Sequence, residues 1–206
     1  MKILESRILD DIRDGRALRL HLGSGEVRVD GYYGVDQLAL PGVAILADLN
    51  EPLALLPDNS VAEVVSHHCL EHVREFLPLM AELYRVVQPG GRIWIEVPHF
   101  SNPYYYSDPT HVRPFGLYTM YYFVRPDLQP RRKVPCFYSS ARFKVRKIWI
   151  QPMPRTWFDR LIFPFMTTVI NRSTGWQDWY ERRVCRVFPA WSISYEMEPD
   201  KSDNVR

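Results

Sequence analysis

The chain has 206 residues, 46% of them apolar and 24% charged, enough for one globular α/β unit over 1–206 with an accessory segment but not for two full domains. Its net charge of +2 gives no electrostatic case for nucleic acid, and no run of about 18 apolar residues is present to span a membrane. The start, "MKILESRILDDIRDGR", mixes acids with arginines and does not read as a secretory signal; three scattered cysteines, Cys69, Cys136 and Cys185, form no C-x-x-C pair and fit a reducing cytoplasm.

Short stretches rich in Val, Ile and Leu predict strands at 18–22, 32–35, 44–47, 61–66 and 92–97, the pattern of strands buried on both faces. The first ends in Gly23-Ser24-Gly25, and only "EVRVDG" then precedes the second, so the crossover helix there is expected to be missing or cut to one turn. Between the fourth and fifth lies "HVREFLPLMAELYRVVQPGG". Leu77, Met80, Leu83, Tyr84 and Val87 recur at helical spacing, and Pro-Gly-Gly is expected to end that helix. Strand–helix–strand units of this length imply a parallel sheet with right-handed crossovers.

After the fifth strand the chain changes character. "SNPYYYSDPTHVRPFGLYTMYYF", from Ser101 to Phe123, reads as irregular, and a long irregular segment after a sheet strand is expected to be a lid or binding loop, here a substrate-side insertion over 99–140. "FKVRKIWI" (143–150) and "WSISYEM" (191–197) read as a closing strand pair. A second insertion over 151–190 contains "WFDRLIFPFMTTVI", interrupted by Pro164 and flanked by Arg155, Arg160 and Arg172. It reads as a lid, a homodimer contact or a surface that rests on a membrane.

Gly23 and Gly25 at a strand end permit a tight turn and a close approach of ligand to backbone. The third glycine of a dinucleotide fingerprint is missing, since Arg28 stands in its place, and no G-K-[ST] follows for a phosphate loop. A cofactor with an adenosine and no phosphate needs only the two-glycine approach. Asp36, at the end of the second strand, can accept both ribose hydroxyls, and Asp48, after the third, is within reach of an adenine amino group. S-adenosylmethionine is a ligand of that kind. Read without a ligand, the glycines make a turn and Asp48 caps "LNEP".

"LHLGSGE", "YGVD", "ILADLNEPLALLPDNSVAEVVSHHCLEHV" and "YRVVQPGGRIWIEVP" together resemble the class I S-adenosylmethionine-dependent methyltransferases, over Leu18 to Pro98. The sequence departs from that pattern at His21, where the family carries an acidic residue, and in the lost crossover helix. The resemblance implies a Rossmann-like sheet, mostly parallel with a closing antiparallel strand, and an aromatic-rich insertion. It implies that Gly23, Ser24 and Gly25 lie along the methionine portion with His21 nearby, that Asp36 holds the ribose, and that Asp48 and Leu49 meet the adenine. His67 and His68 would line the sulfonium side, and Glu71 and His72 would start the following helix.

Methyl transfer from a sulfonium is an in-line displacement, and a hydroxyl acceptor benefits from a general base. His111 or His99 is the expected base, Asp108 the group that orients a histidine, Arg113 a contact to an acidic group on the acceptor, and Tyr104, Tyr105 and Tyr106 a stacking face for a sugar or other flat group. The alternatives are that "DPTH" is only a turn, or that His99, Asp108 and His111 hold a metal, although no metal is expected. The sequence reads as a methyltransferase acting on an oxygen of a small polar acceptor such as a sugar, a polysaccharide end or a phosphonate. The rival readings are a methyltransferase-like scaffold without activity and a protein or N-methyltransferase.

Overall fold

The computed structural model describes residues 1–154 and 157–202, and within the helix beginning at Trp157 it leaves out the side chains of 158–160. Arg155 and the Arg160 side chain therefore lie outside the described residues. The elements run β1 (Lys2–Ile3), α1 (Arg7–Arg13), β2 (Leu18–Leu22), β3 (Tyr33–Asp36), β4 (Val43–Leu46), β5 (Val61–His67), α2 (Phe76–Val86), β6 (Val87–Pro98), β7 (Phe143–Pro152), α3 (Trp157–Ile170), α4 (Thr174–Arg183) and β8 (Ala190–Pro199).

All eight strands form one sheet in the order β1-β4-β3-β2-β5-β6-β8-β7. The five strands from β4 to β6 are parallel; β1 pairs antiparallel with β4, and β8 runs antiparallel to both β6 and β7. This is the mostly parallel Rossmann-like sheet expected, closed by an antiparallel pair. Leu18, Leu20 and Leu22 of β2, Val64 of β5, and Ile93 and Ile95 of β6 are buried, as the near-continuous apolar runs required. The chain order runs outward from β2 to β4 on one side and from β5 to β6 on the other. The sheet therefore switches direction between β2 and β5, and ligands of open α/β sheets bind outside the carboxyl ends at that point.

Only turns connect β2 to β3, so the first crossover helix is absent as its six-residue span dictates. The helical face of α2 is shifted from the expected one. Phe76, Leu79, Met80, Leu83 and Val86 are buried, whereas Leu77 is 40% exposed. The Pro-Gly-Gly run does not end this helix either. α2 stops at Val86, and Val61 pairs with Val87 while Glu63 pairs with Arg92, so residues 88–91 bulge from β6 with Gly90 at φ +74°. α3 continues through Pro164, whose missing N–H is tolerated there. Its Phe163 and Ile170 are buried, and Trp157, Leu161 and Phe165 form an exposed stripe.

The insertion after β6 is packed, not loose. Phe115, Leu117, Met120, Phe123 and Val124 join the main core. The Tyr195 hydroxyl of β8 donates to the Gly116 carbonyl at 2.7 Å, Leu117 N–H donates to Glu181 Oε1 of α4, and Asn102 Nδ2 donates to the Trp191 carbonyl. No described helix is long and apolar enough to cross a membrane.

Candidate active site

At the switch point a cleft of about 550 Å³ opens beside the ends of β2, β3, β4 and β5, in the range typical of small-molecule sites. Its lining includes Gly23, Asp36, Gln37, Ala47, Asp48, Leu49 and Asn50 on the sheet-end loops, and His68, Cys69, His72, Arg74 and Thr110 on the turns after β5 and β6.

Gly23 is required where it stands. Its φ is +65°, and a Cβ there would fall 2.4 Å from the Cys69 Sγ. Cys69 is held behind it, and burial pushes its thiol up to about 12, so it serves as packing and not as a nucleophile. Asp36 ties the glycine turn together: Oδ2 accepts from Gly25 N–H at 2.9 Å and Oδ1 from Leu38 N–H at 3.0 Å. Each oxygen keeps a second lone pair for a ligand hydroxyl. Asp48 does cap its turn, with Oδ1 accepting from the backbone and side-chain amides of Asn50. The same Asn50 accepts from Arg74 and Glu75 N–H, which links the loop after β4 to the entrance of α2.

Three of the residues expected at the cofactor face elsewhere. His21 is buried and lines a separate recess with Glu5, Arg28 and Asp30, where burial and the nearby His67 hold its pKa below the ordinary value. The exposed His67 ring packs 4.5 Å from Trp94 and edge-on to His21 at 5.9 Å. Neighbouring strand residues point to opposite faces, so His67 and His68 separate as soon as the strand ends. His68 lies beyond β5 with φ +47° and turns into the cleft. Ser24 is buried behind the turn and does not line the cleft.

Glu71 and His72 do not start α2. They belong to a separate 3₁₀ turn, Leu70–His72, four residues before it. The segment after β6 folds back onto that turn through Val112 N–H to the Glu71 carbonyl at 2.9 Å, which brings His111 and Asp108 beside Glu71 and His72. The His72 and His111 rings lie 4.8 Å apart, and Tyr105 stacks on His111 at 4.8 Å. Asp108 also caps its turn through Thr110, so the expected turn and the expected cluster coexist. Glu71 is 1% exposed, and its carboxylate holds the pKa of His68 above the ordinary value, with His68 Nδ1 at 3.5 Å.

The structure separates His99 from this cluster. His99 is fully buried, with Nδ1 on Ser101 Oγ at 2.7 Å and Nε2 on Glu181 Oε1 at 3.1 Å, so the His99–Asp108–His111 metal set is not assembled. Arg113 turns its guanidinium over the Phe76 ring and donates to the Arg74 carbonyl, and it does not line the cleft. Arg74, which does, was missed; it carries no motif of its own and reaches the cleft only because Asn50 pins its backbone. Tyr105 is buried, while Tyr104 and Tyr106 are exposed outside the lining.

Residues 32–95 match the family model of the methyltransferase domain. No curated protein matches the chain. Among solved structures, the chain is similar to an S-adenosylmethionine-dependent methyltransferase from Archaeoglobus fulgidus, with a TM-score of 0.56 and 19% identity over 94% of this chain and 91% of that one. It is also similar to the YcgJ protein from Bacillus subtilis, with a TM-score of 0.50 and 13% identity over 93% of this chain and 97% of that one.

Proposed function

We infer the reaction from the premise that this chain is a class I S-adenosylmethionine-dependent methyltransferase, a premise supported by the methyltransferase-domain match over 32–95 and by the fold. We propose that it methylates an oxygen of a small polar acceptor such as a sugar, a polysaccharide end or a phosphonate. One observation carries this reading: a single cleft is lined both by the glycine turn with Asp36 and Asp48 and by polar histidine-bearing turns with His68, His72 and Thr110.

In this reading the adenosine lies against Gly23, Asp36, Asp48 and Leu49. Asp36 adds the ribose hydroxyls to the amides it already holds, and the acceptor occupies the histidine side. The acceptor oxygen attacks the methyl carbon in line, the carbon–sulfur bond breaks, and S-adenosylhomocysteine leaves. The hydroxyl proton passes to the corner formed by Glu71, His72, His111 and Asp108. Arg74 is the cation at the rim suited to an acidic group on the acceptor.

The test is calorimetry with S-adenosylhomocysteine followed by product analysis on a panel of sugar, polysaccharide and phosphonate acceptors. Binding together with O-methylated product is the expected result. Binding with methylation of amines alone overturns the oxygen assignment, and binding without any turnover across acceptor classes overturns the enzymatic reading.

A further inference from the structure

We propose that Glu71, His72 and His111 form a site for one divalent first-row transition-metal ion at the edge of the cleft, with Asp108 as an added oxygen donor. The ion's role in acceptor activation rests on the function proposed above; its binding does not.

The hydrogen bonds around the two histidines fix which nitrogen of each carries the proton. His111 Nδ1 lies 2.8 Å from the Tyr105 carbonyl, which only accepts, so Nδ1 is protonated and Nε2 is bare in the neutral ring. His72 Nδ1 lies 2.9 Å from Thr110 Oγ1, whose single proton is given to Asp108 Oδ1 at 2.5 Å. Thr110 can therefore only accept from His72, and His72 Nε2 is bare as well. Both bare nitrogens sit 4.0 Å from the same oxygen, Glu71 Oε1, and His111 Nε2 is 3.6 Å from Asp108 Oδ2.

Electron-pair donors thus converge on one point from three segments of the chain. One donor atom each from Glu71, His72 and His111 can be taken with all of them within 4.8 Å of one another. Donors held about 2.0–2.2 Å from a metal lie roughly 3–4 Å apart, so the set closes on an ion with small adjustments. Histidines whose second nitrogen donates to a carbonyl, or through a hydroxyl to a carboxylate, have the outer partners that ligating histidines use.

Glu71 supplies an independent sign. Its carboxylate is buried, and neither oxygen has a hydrogen-bond partner among the described residues. A buried carboxylate left in that state is costly, and a cation is the usual remedy. The protein's own cations supply it only in part. Arg113 forms no ion pair with Glu71 among the described residues, with one nitrogen on the Arg74 carbonyl and Nε unpartnered, and His68 approaches Oε1 only to 3.5 Å, from the cleft side. Two imidazoles with carboxylates suit zinc, manganese, iron or cobalt and not magnesium. An ion there would face the cleft beside Thr110 and His72, where it would bind an acceptor oxygen and lower its pKa, the hydroxyl proton then passing to water and not to the ligating histidines.

The experiment titrates the chelator-stripped full chain with zinc by calorimetry and with cobalt by visible absorption, with S-adenosylhomocysteine affinity measured in parallel. One equivalent of ion is expected, with cobalt bands of low coordination number. Glu71→Gln and His111→Ala should each weaken binding by about 100-fold or more, and Thr110→Val by about 10- to 100-fold, since its hydroxyl only orients His72. His67→Ala should bind the ion as the parent does. Retained S-adenosylhomocysteine affinity shows that a variant is folded; if Glu71→Gln loses it, His72→Ala and His111→Ala carry the test. Absence of saturable binding, or binding that survives these ligand substitutions, overturns the site. Ion binding without O-methylation would sink the proposed function alone, and O-methylation by a chain that shows no saturable ion binding would sink the site alone.

Discussion

Gly25 donates its backbone N–H to Asp36 Oδ2 at 2.9 Å, so the glycine turn after β2 and the carboxylate ending β3 are joined before any ligand arrives. The carboxylate that is proposed to grip the ribose also shapes the loop against which the cofactor is proposed to lie. Replacing Asp36 with alanine should therefore weaken S-adenosylhomocysteine binding by about 1.5–3 kcal/mol, the scale of hydrogen bonds to a charged group. Calorimetry checks it, and unchanged affinity would remove Asp36 from the ribose.

Gly23 and Cys69 should be coupled. Gly23→Ala forces a side chain into left-handed backbone and against the Cys69 sulfur, at a cost of about 1–3 kcal/mol from the backbone alone. Cys69→Gly, which removes both the Sγ and the Cβ that lies 2.5 Å from the added atom, should restore part of that loss, and a double-mutant cycle by urea denaturation measures it. Additive effects would mean that the two residues do not share the space.

The two histidines singled out as bases should behave differently. His111→Ala is expected to lower turnover while leaving cofactor affinity intact. His99→Ala is expected to destabilise the fold by about 1–3 kcal/mol, because it strips Glu181 of a buried partner where Glu181 also holds Leu117. Kinetics beside chemical denaturation separates the two. A stable His99→Ala protein without activity would reverse the assignment.

His21 sets a pH dependence. Burial, with His67 next to it, lowers its folded pKa below the usual 6.5, so the unfolded chain binds the extra proton first. Its contribution to stability is complete above 6.5 and is lost as pH falls below that value toward the folded pKa. Acidification through this window should lower the denaturation midpoint of the parent more than that of His21→Gln. A parallel pair of curves would exclude this origin.

The five parallel strands were legible because burial on both faces writes long runs of Val, Ile and Leu, and the missing first helix because six residues cannot hold one. β1 and α1 were not, since a two-residue strand and a seven-residue helix with only Ile8 buried leave no periodic trace. The α2 face was misplaced because Phe76 begins the stripe one residue earlier than Leu77 suggests. In the site, Gly23 and Asp36 could be read from local spacing. The approach of His111 to Glu71 spans forty positions and depends on how the insertion folds back, which spacing alone does not encode. His67 and His68 read alike in sequence and part company where β5 ends and the backbone turns left-handed at His68.

The segment after β6, which brings Thr110 and Val112 to the cleft, carries a last consequence. Tyr195 and Glu181 fasten it to β8 and α4, and Phe115 and Phe123 lie in the same core as β6. It cannot swing outward without dismantling the centre of the molecule. On the proposed function, a rigid mould then selects between acceptors at first encounter without closing around a chosen guest, so the ranking of acceptor analogues should be identical with and without the cofactor product bound.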